Sequence, residues 1–393
     1  MRVDESMMRR MGRLADVLSD VRALGRPPVE MRLRRQQLAE FLRAIEPRVF
    51  RAPLEARAEL RQLLGWDDDA LHAFIESPMI VHSSTHVSMN AFPPMLAFPW
   101  FCRGVADRHD GGVHLRTQVT HNNLSDNRWK PHVWWRCGAG GRLVRTPLFS
   151  KAPRFEHQVL LCQPPPRVEL DDLHACDARA LGLAGHATNF AYFAMVYRMA
   201  LERELGLHAP GRTVEVPLDV VNVFTAPRVA QEPWGAALGA LGLRHRRVGE
   251  DRELHEVREL PGHGPFRPDP LVMTDTVVCP NEVNQALVYR FGVSATIGAE
   301  KMTAYVDGMN ELIADLMRRV GEAWHRPHFF GVAALPLDEV APLDGPLGED
   351  VRRQGVRPSL PLLAARYGGE LRARLDTLLA SPAADFPKLV SRR

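Results

Sequence analysis

Lysine is nearly missing from this chain: only Lys130, Lys151, Lys301 and Lys388 among its fifty basic side chains carry an amine, and the rest are arginine. With abundant Ala, Leu, Pro and Gly, that skew reflects a GC-rich coding sequence more than a nucleic-acid surface. The net charge is only +3. No basic run is interleaved with aromatics in the way a single-strand binder requires, so nucleic acid is not an expected partner. Paired cysteines are missing as well. Cys102, Cys137, Cys162, Cys176 and Cys279 are scattered, odd in number and free of any C-x-x-C spacing, which argues against a disulfide framework. They read as buried thiols, with Cys137, beside the turn Gly138–Gly141, the one to test for reactivity. No stretch approaches the roughly 18 consecutive apolar residues of a membrane span. The opening Met1–Leu18 mixes acid with arginine and has no apolar core with a cleavage site, so the expected location is the cytoplasm. Neither a P-loop, a dinucleotide glycine fingerprint nor a G-x-S-x-G elbow occurs, which lowers phosphoryl and hydride transfer in rank.

What is present is an ordinary globular composition, 45% apolar and 25% charged over 393 residues, enough for two or three sub-domains sharing a core. Residues 1–77 read as a helical module. Met8, Met11, Leu14, Val17 and Leu18, then Leu38, Phe41, Leu42 and Ile45, recur at helical spacing, and Asp67–Asp69 supply a cap. Its arginine excess offers a docking face for an acidic carrier protein or a partner enzyme. Residues 78–167 read as the first half of an α/β core. Met79–His82 is an apolar strand ending in a polar loop, Ser83–His86; a helix runs from Asn90 to Arg103; strands follow at Val113–Thr120, His132–Trp135, Leu143–Phe149 and Gln158–Cys162. Pro164–Pro166 marks the boundary to a second half, 168–340. That half holds helices near 187–205, 234–243, 280–291 and 300–320, strands within 213–223, 271–278 and 329–335, and a charged hairpin at 244–258. Residues 341–393 read as a loop to 357 followed by two helices. Strands interleaved with helices predict an α/β fold: a Rossmann-like core sheet with flanking helices and an N-terminal helical module.

The densest polar cluster joins His82-Ser-Ser-Thr-His86 and Asn90 to Thr120-His-Asn-Asn-Leu-Ser-Asp-Asn127 and Lys130. Two such loops at neighbouring strand ends would face each other across one ligand crevice. Three chemistries fit them. His82, His86 and His121, with Asp126, could hold a metal whose bound water attacks, although the H-E-x-x-H pattern is absent. The histidines could instead stabilise charge on a phosphate or nucleotide. Alternatively the cluster is a hydrogen-bonding cage for a zwitterion, with His82, His121 or Asp126 as general base and the amides of Asn90, Asn122, Asn123 and Asn127 reading its carboxylate and ammonium. Asn281, Asn284 and Tyr289 fall near one helix face and could line the same pocket.

Two resemblances follow from these residues. A strand, a histidine-bearing loop and a helix, with Gly298-Ala-Glu-Lys301-Met-Thr303 far downstream, resembles the layout of nucleotidyl transferases and class I synthetases, and implies a mobile lysine at Lys301; the second lysine and both serines of that loop are missing. The stretches Val81–Met95 and Gln118–Asp126, about a tenth of the chain, resemble the core of bacillithiol-biosynthesis cysteine-adding enzymes. That likeness implies a Rossmann-like core and the joining of an amine-bearing conjugate to cysteine. Here Ser, Thr and Asn replace the glycine- and acid-rich residues of that family.

The expectation is an enzyme of specialised metabolism that forms a carbon–heteroatom bond on a small, polar, amine-containing metabolite, ligase-like or cyclising. Its acid–base groups would be His82, His86, His121 and Asp126; its substrate contacts would be Ser84, Thr85, Asn90, Asn122, Asn123, Asn127, Lys130, Asn281, Asn284, Tyr289 and Lys301. No cofactor is required by this chemistry, with a nucleotide or divalent metal as the alternatives. The competing functions are a metal-dependent hydrolase using His82, His86 and His121, and a non-catalytic subunit that docks a partner.

Overall fold

The computed structural model describes residues 25–91, 93–120, 130–149, 160–168, 171–208, 210–229, 231–240, 243–247, 253–257, 288–299, 303–332, 341–380 and 390–392. Helix α1 (Val29–Val49) buries Leu38, Leu42, Ile45 and Val49 on one stripe, as its period demands. Helix α2 (Leu54–Leu64) ends at Gly65, whose left-handed φ of 67° lets its N–H return to the last turn. Asp67 caps α3 (Asp68–Glu76) by accepting from the Ala70 N–H at 3.0 Å. Buried Arg35 then ties the module to the core, donating to the carbonyls of Phe74, Ile75 and Ser77 at the end of α3 and to Phe291. A cation placed on the last carbonyls of a helix also complements its dipole. Several arginines expected to face a partner are held by the chain's own acids: Arg32 by Glu76, Arg34 by Glu322, Arg43 by Asp68 and Arg61 by Glu46.

The core alternates strand and helix. In chain order come β1 (Ile80–His86), α4 (Pro93–Asp107), β2 (Val113–Val119), the antiparallel pair β3 (Val133–Cys137) and β4 (Leu143–Pro147), α5 (Ala175–Ala184), α6 (Phe190–Glu204) and β5 (Thr213–Pro217). After these follow α7 (Leu218–Val229), α8 (Trp234–Ala240), the hairpin β6 (Leu243–Arg247) and β7 (Glu253–Val257), β8 (Val293–Ala299), α9 (Thr303–Arg319) and β9 (His328–Val332). Helices α10 (Gly345–Gln354), α11 (Leu360–Tyr367) and α12 (Glu370–Ala380) and the short β10 (Val390–Arg392) close the described chain. The main sheet has six strands in the order β10-β9-β8-β1-β2-β5, parallel except for β10. Strand order therefore reverses between β1 and β8: β2 and β5 extend to one side, β8 and β9 to the other. This is the Rossmann-like α/β core expected from the alternation of elements. The edge at β5 is covered: Trp66 donates its indole N–H to the Glu215 carbonyl at 2.8 Å, and Gly65 lies against the Thr213 carbonyl.

Four local expectations need correction. Ser83–His86 is not a loop but the second half of β1, because its hydroxyls and backbone find partners in the flanking strands. In the stretch 158–162 the described residues form a short 3-10 turn, Leu160–Cys162, rather than a strand. The strand at 213 stops at Pro217, and 218 onward is helix. Residues 341–357 contain α10, opened by Asp344 and a proline in its first turn and closed by Gly355 at φ 60°. Met8–Leu18, the strand expected at 271–278 and most of the helix at 280–291 lie outside the described residues. Among the described residues no helix is long and apolar enough to cross a membrane.

Candidate functional site

In a parallel sheet, ligands bind beyond the C-terminal strand ends where the order reverses, which here is the gap between the ends of β1 and β8. Alternation along β1 puts His82, Ser84 and His86 on one face. His82 is buried in the middle of the strand, whereas Ser84 and His86 are partly exposed toward its C-terminal end. At ~3.3 Å per residue, the Cα atoms of His82 and His86 stand about 13 Å apart. Two parallel imidazoles at that spacing do not converge on one ion.

His82 is already committed. One ring nitrogen bonds Thr117 Oγ1 at 3.0 Å and the other Thr296 Oγ1 at 3.1 Å, so the ring bridges β2, β1 and β8. Tyr289 meets the ring edge-on at 5.8 Å. Burial drives the His82 pKa down to about 3, which keeps the imidazole neutral. Burial also raises the Tyr289 phenol to about 12, against a hydrogen bond with Thr296 that works the other way.

The opposite face of β1 and β2 carries a buried charge cluster. Arg116 pairs with Glu202 at 2.7 Å and with Glu215 across the β2–β5 ladder. Gln118 donates to Glu215, and its carbonyl oxygen accepts from Thr85 Oγ1 at 3.1 Å and from Arg198. Arg198 is i,i+4 to Glu202 on α6 and donates to the His86 carbonyl at 3.1 Å. Burial works against the charge on Arg116, but Glu202 and Glu215 outweigh it and raise its pKa. Arg198 is lowered to about 10 by burial and then by repulsion from Arg116. Two guanidiniums and two carboxylates are thereby closed on one another, and through Arg198 they hold the backbone at the end of β1.

One step further along the sheet edge, Thr120 follows β2 and Asp219 follows β5. Thr120 donates to one carboxyl oxygen of Asp219 at 2.6 Å, and Tyr192 donates to the other. Burial raises the Asp219 pKa, with the two hydroxyl bonds opposing it. Beyond His86 the chain turns through Asn90, a fully buried residue. Its side-chain oxygen accepts from Trp135 N at 2.8 Å, and its amide nitrogen donates to the carbonyls of Val133 and Lys130. The amide thus acts as one rung of a sheet, fastening the turn to β3. Lys130 itself is exposed, at a left-handed φ of 43°.

The geometry brings Ser84, His86, Thr120 and Asp219 to the same C-terminal sheet edge. Of the other residues expected at the site, His82, Thr85 and Tyr289 are interior and hydrogen-bonded, and Asn90 is a strut. His121, Asn122, Asn123, Asp126, Asn127, Asn281, Asn284 and Lys301 lie outside the described residues. Among the described residues no three His, Cys, Asp or Glu side chains are placed to hold a metal ion. The helix that follows β1 opens on Pro93-Pro94, so two of its free first-turn positions have no N–H to offer a phosphate.

No family model, curated protein or solved structure matches the chain. The site rests on its geometry. Tyr192, Arg116, Arg198, Glu202 and Glu215 were not visible as site-related residues in the sequence. A signal did exist: Arg116 sits in a strand among Leu115 and Val119, and Arg198 and Glu202 sit i,i+4 in a helix whose first eight residues, Phe190–Tyr197, carry no charge.

Proposed function

We propose that this chain is an enzyme of small-molecule metabolism that binds a polar, amine-containing metabolite over the ends of β1 and β8 and forms a carbon–heteroatom bond there. The observation that carries this reading is the placement of Ser84 and His86: two polar side chains, partly exposed on an otherwise buried strand, where the strand order reverses. His86 is the group we assign to take the proton released as a substrate amine or hydroxyl becomes a nucleophile, with Ser84 orienting that group. Asp219, whose burial favours the protonated carboxyl, is suited to return a proton at the neighbouring sheet edge through Thr120 or Tyr192. The proline-opened helix after β1 disfavours a phosphate seat at that helix, which supports an uncharged or zwitterionic reacting group over a nucleotide at this position. If the substrate arrives on an acidic carrier protein, exposed Arg48 and Arg51 of the helical module are the residues to meet it.

The test is a thermal-shift screen of amino acids, amino sugars, polyamines, nucleotides and divalent ions, followed by turnover assays on the ligands that stabilise. His86→Ala should cost about 100-fold or more in turnover, the range of a general base, with folding intact, and Ser84→Ala should weaken binding. A ligand that binds and turns over equally in both variants would remove this site. Stabilisation by a divalent ion alone would favour the alternative, a metal-dependent hydrolase, instead.

A further inference from the structure

Away from the crevice, Asp177 on α5 is 0% exposed, and among the described residues only one of its two carboxyl oxygens is hydrogen-bonded. Its Oδ1 accepts from the Tyr197 hydroxyl, and that hydroxyl accepts from the indole N–H of Trp134 at 3.0 Å, so the three side chains link α5, α6 and β3 in one line. The Trp134 and Tyr197 rings meet edge to face at 5.6 Å. Among the described residues, Asp177 Oδ2 is buried and has no hydrogen-bond partner. The titratable and charged groups around it are Arg136 and Cys137 from β3, Asp172 and His174 from the segment before α5, Cys176 beside it, and Tyr197 from α6. The nearby cation, Arg136, is pinned elsewhere. It donates to Thr146 Oγ1 at 3.2 Å and to the Asp172 carbonyl, and lies over the Trp134 ring at 5.4 Å. Among the described residues a charge on Asp177 would therefore sit in the interior without an ion-pair partner, a costly state. Trp134 lies between Val133 and Trp135, two of the three residues whose backbone Asn90 holds.

We propose that Asp177 is a proton-controlled latch that holds the β3–β4 hairpin, and with it the Asn90 clamp, against α5 and α6. The protonated acid keeps the hairpin docked; loss of the proton favours its release. The latch stands on this geometry alone, while its effect on ligand binding rests on the function proposed above. Burial raises the Asp177 pKa to about 7, with the Tyr197 hydrogen bond and Arg136 pulling the other way. A carboxyl exposed by opening returns to about 3.9. The folded value is the higher one, so this stabilisation is complete below about pH 4 and is lost as pH rises through 7. Between pH 6 and 8 the linkage amounts to about a tenfold shift in the opening equilibrium.

The experiment is backbone hydrogen–deuterium exchange on the full chain without ligand at pH 6, 7 and 8, with intrinsic exchange rates divided out. Amides of residues 133–147 should lose about tenfold in protection across that range in the wild type, and Asp177→Asn should abolish the loss. Tyr197→Phe removes the bond that favours the carboxylate and should move the midpoint to higher pH, which keeps the test decisive if Asp177→Asn fails to fold. Flat protection in the wild type, an equal loss in Asp177→Asn, or an unmoved midpoint in Tyr197→Phe would overturn the latch. Because no ligand is used, its failure and that of the proposed function are separate results.

Discussion

Arg116 and Glu215 face each other across the β2–β5 ladder, and neither side chain reaches water. Together with Glu202 and Arg198 they form a cluster with no net charge, so removing any one member leaves an unpaired ion in the interior. Truncating one partner of a buried pair costs ~3–5 kcal/mol, whereas replacing both by apolar groups is often neutral or better. Glu215→Leu should therefore destabilise by about that amount in urea unfolding. The double variant Arg116→Met with Glu215→Leu leaves Arg198 and Glu202 to balance each other and should be more stable than the single. A double variant no better than the single would show that the cluster does not act as an electrostatic unit.

His82 sets an acid limit on the fold. Its folded pKa of about 3 lies below the ordinary value of ~6.5, so the stability it contributes is complete above that ordinary value and is lost as pH falls toward 3. His114 and His208, both lowered by burial first, act in the same direction. A shift of that size corresponds to up to about 5 kcal/mol for His82. His82→Gln should reduce the slope of unfolding free energy against pH by about one proton between pH 6 and 4. An unchanged slope would mean that the ring already carries its proton in the folded chain.

The two polar runs show how much of the site could be seen in advance. In β2, Val113-His-Leu-Arg-Thr-Gln-Val119 alternates like a strand with one wet face, and the strand is there. Both faces are dry, however, because Arg116 and Gln118 meet Glu202, Glu215 and Arg198 rather than water. Periodicity reports the period, not what covers each face. Ser83-Ser-Thr-His86 looked like a loop for the same reason: its polarity is satisfied by His114, Gln118 and the neighbouring backbones, partners far away in sequence. The α/β alternation was legible because it depends on local pattern and chain order. The division of labour within the site was not, because it depends on which strands become neighbours.

Gly65 is the point where the helical module meets the sheet edge. A Cβ there would stand 1.8 Å from the Thr213 carbonyl oxygen, and the backbone sits at φ 67°, a region that costs any other residue. Neither obstacle is a flexible side chain that can move aside. Gly65→Ala should cost about 3 kcal/mol or more, combining left-handed strain with a backbone clash. Gly140→Ala, where the added carbon meets nothing within 4 Å, is the control and should be near neutral. Equal melting temperatures for the two variants would show that α2 does not seat on β5 as described.

Asn90 offers the sharpest separation between a strut and a ligand contact. Its oxygen accepts from the Trp135 N–H, and its nitrogen donates to the Val133 and Lys130 carbonyls, so donor and acceptor are both needed and each has one correct place. Asn90→Ala leaves those backbone groups unpaired and should cost ~2–4 kcal/mol. Asn90→Asp keeps the acceptor but sets a carboxylate oxygen against two carbonyls, so at pH 7 it should be less stable than the alanine variant despite its closer shape. Protonation turns the introduced carboxyl into a donor, which raises its folded pKa; the variant should therefore regain stability as pH falls from 7 toward 5. Urea unfolding of both variants at the two pH values reads the result. If Asn90→Asp equals the wild type at pH 7, the amide is free to face the crevice and belongs among the substrate contacts.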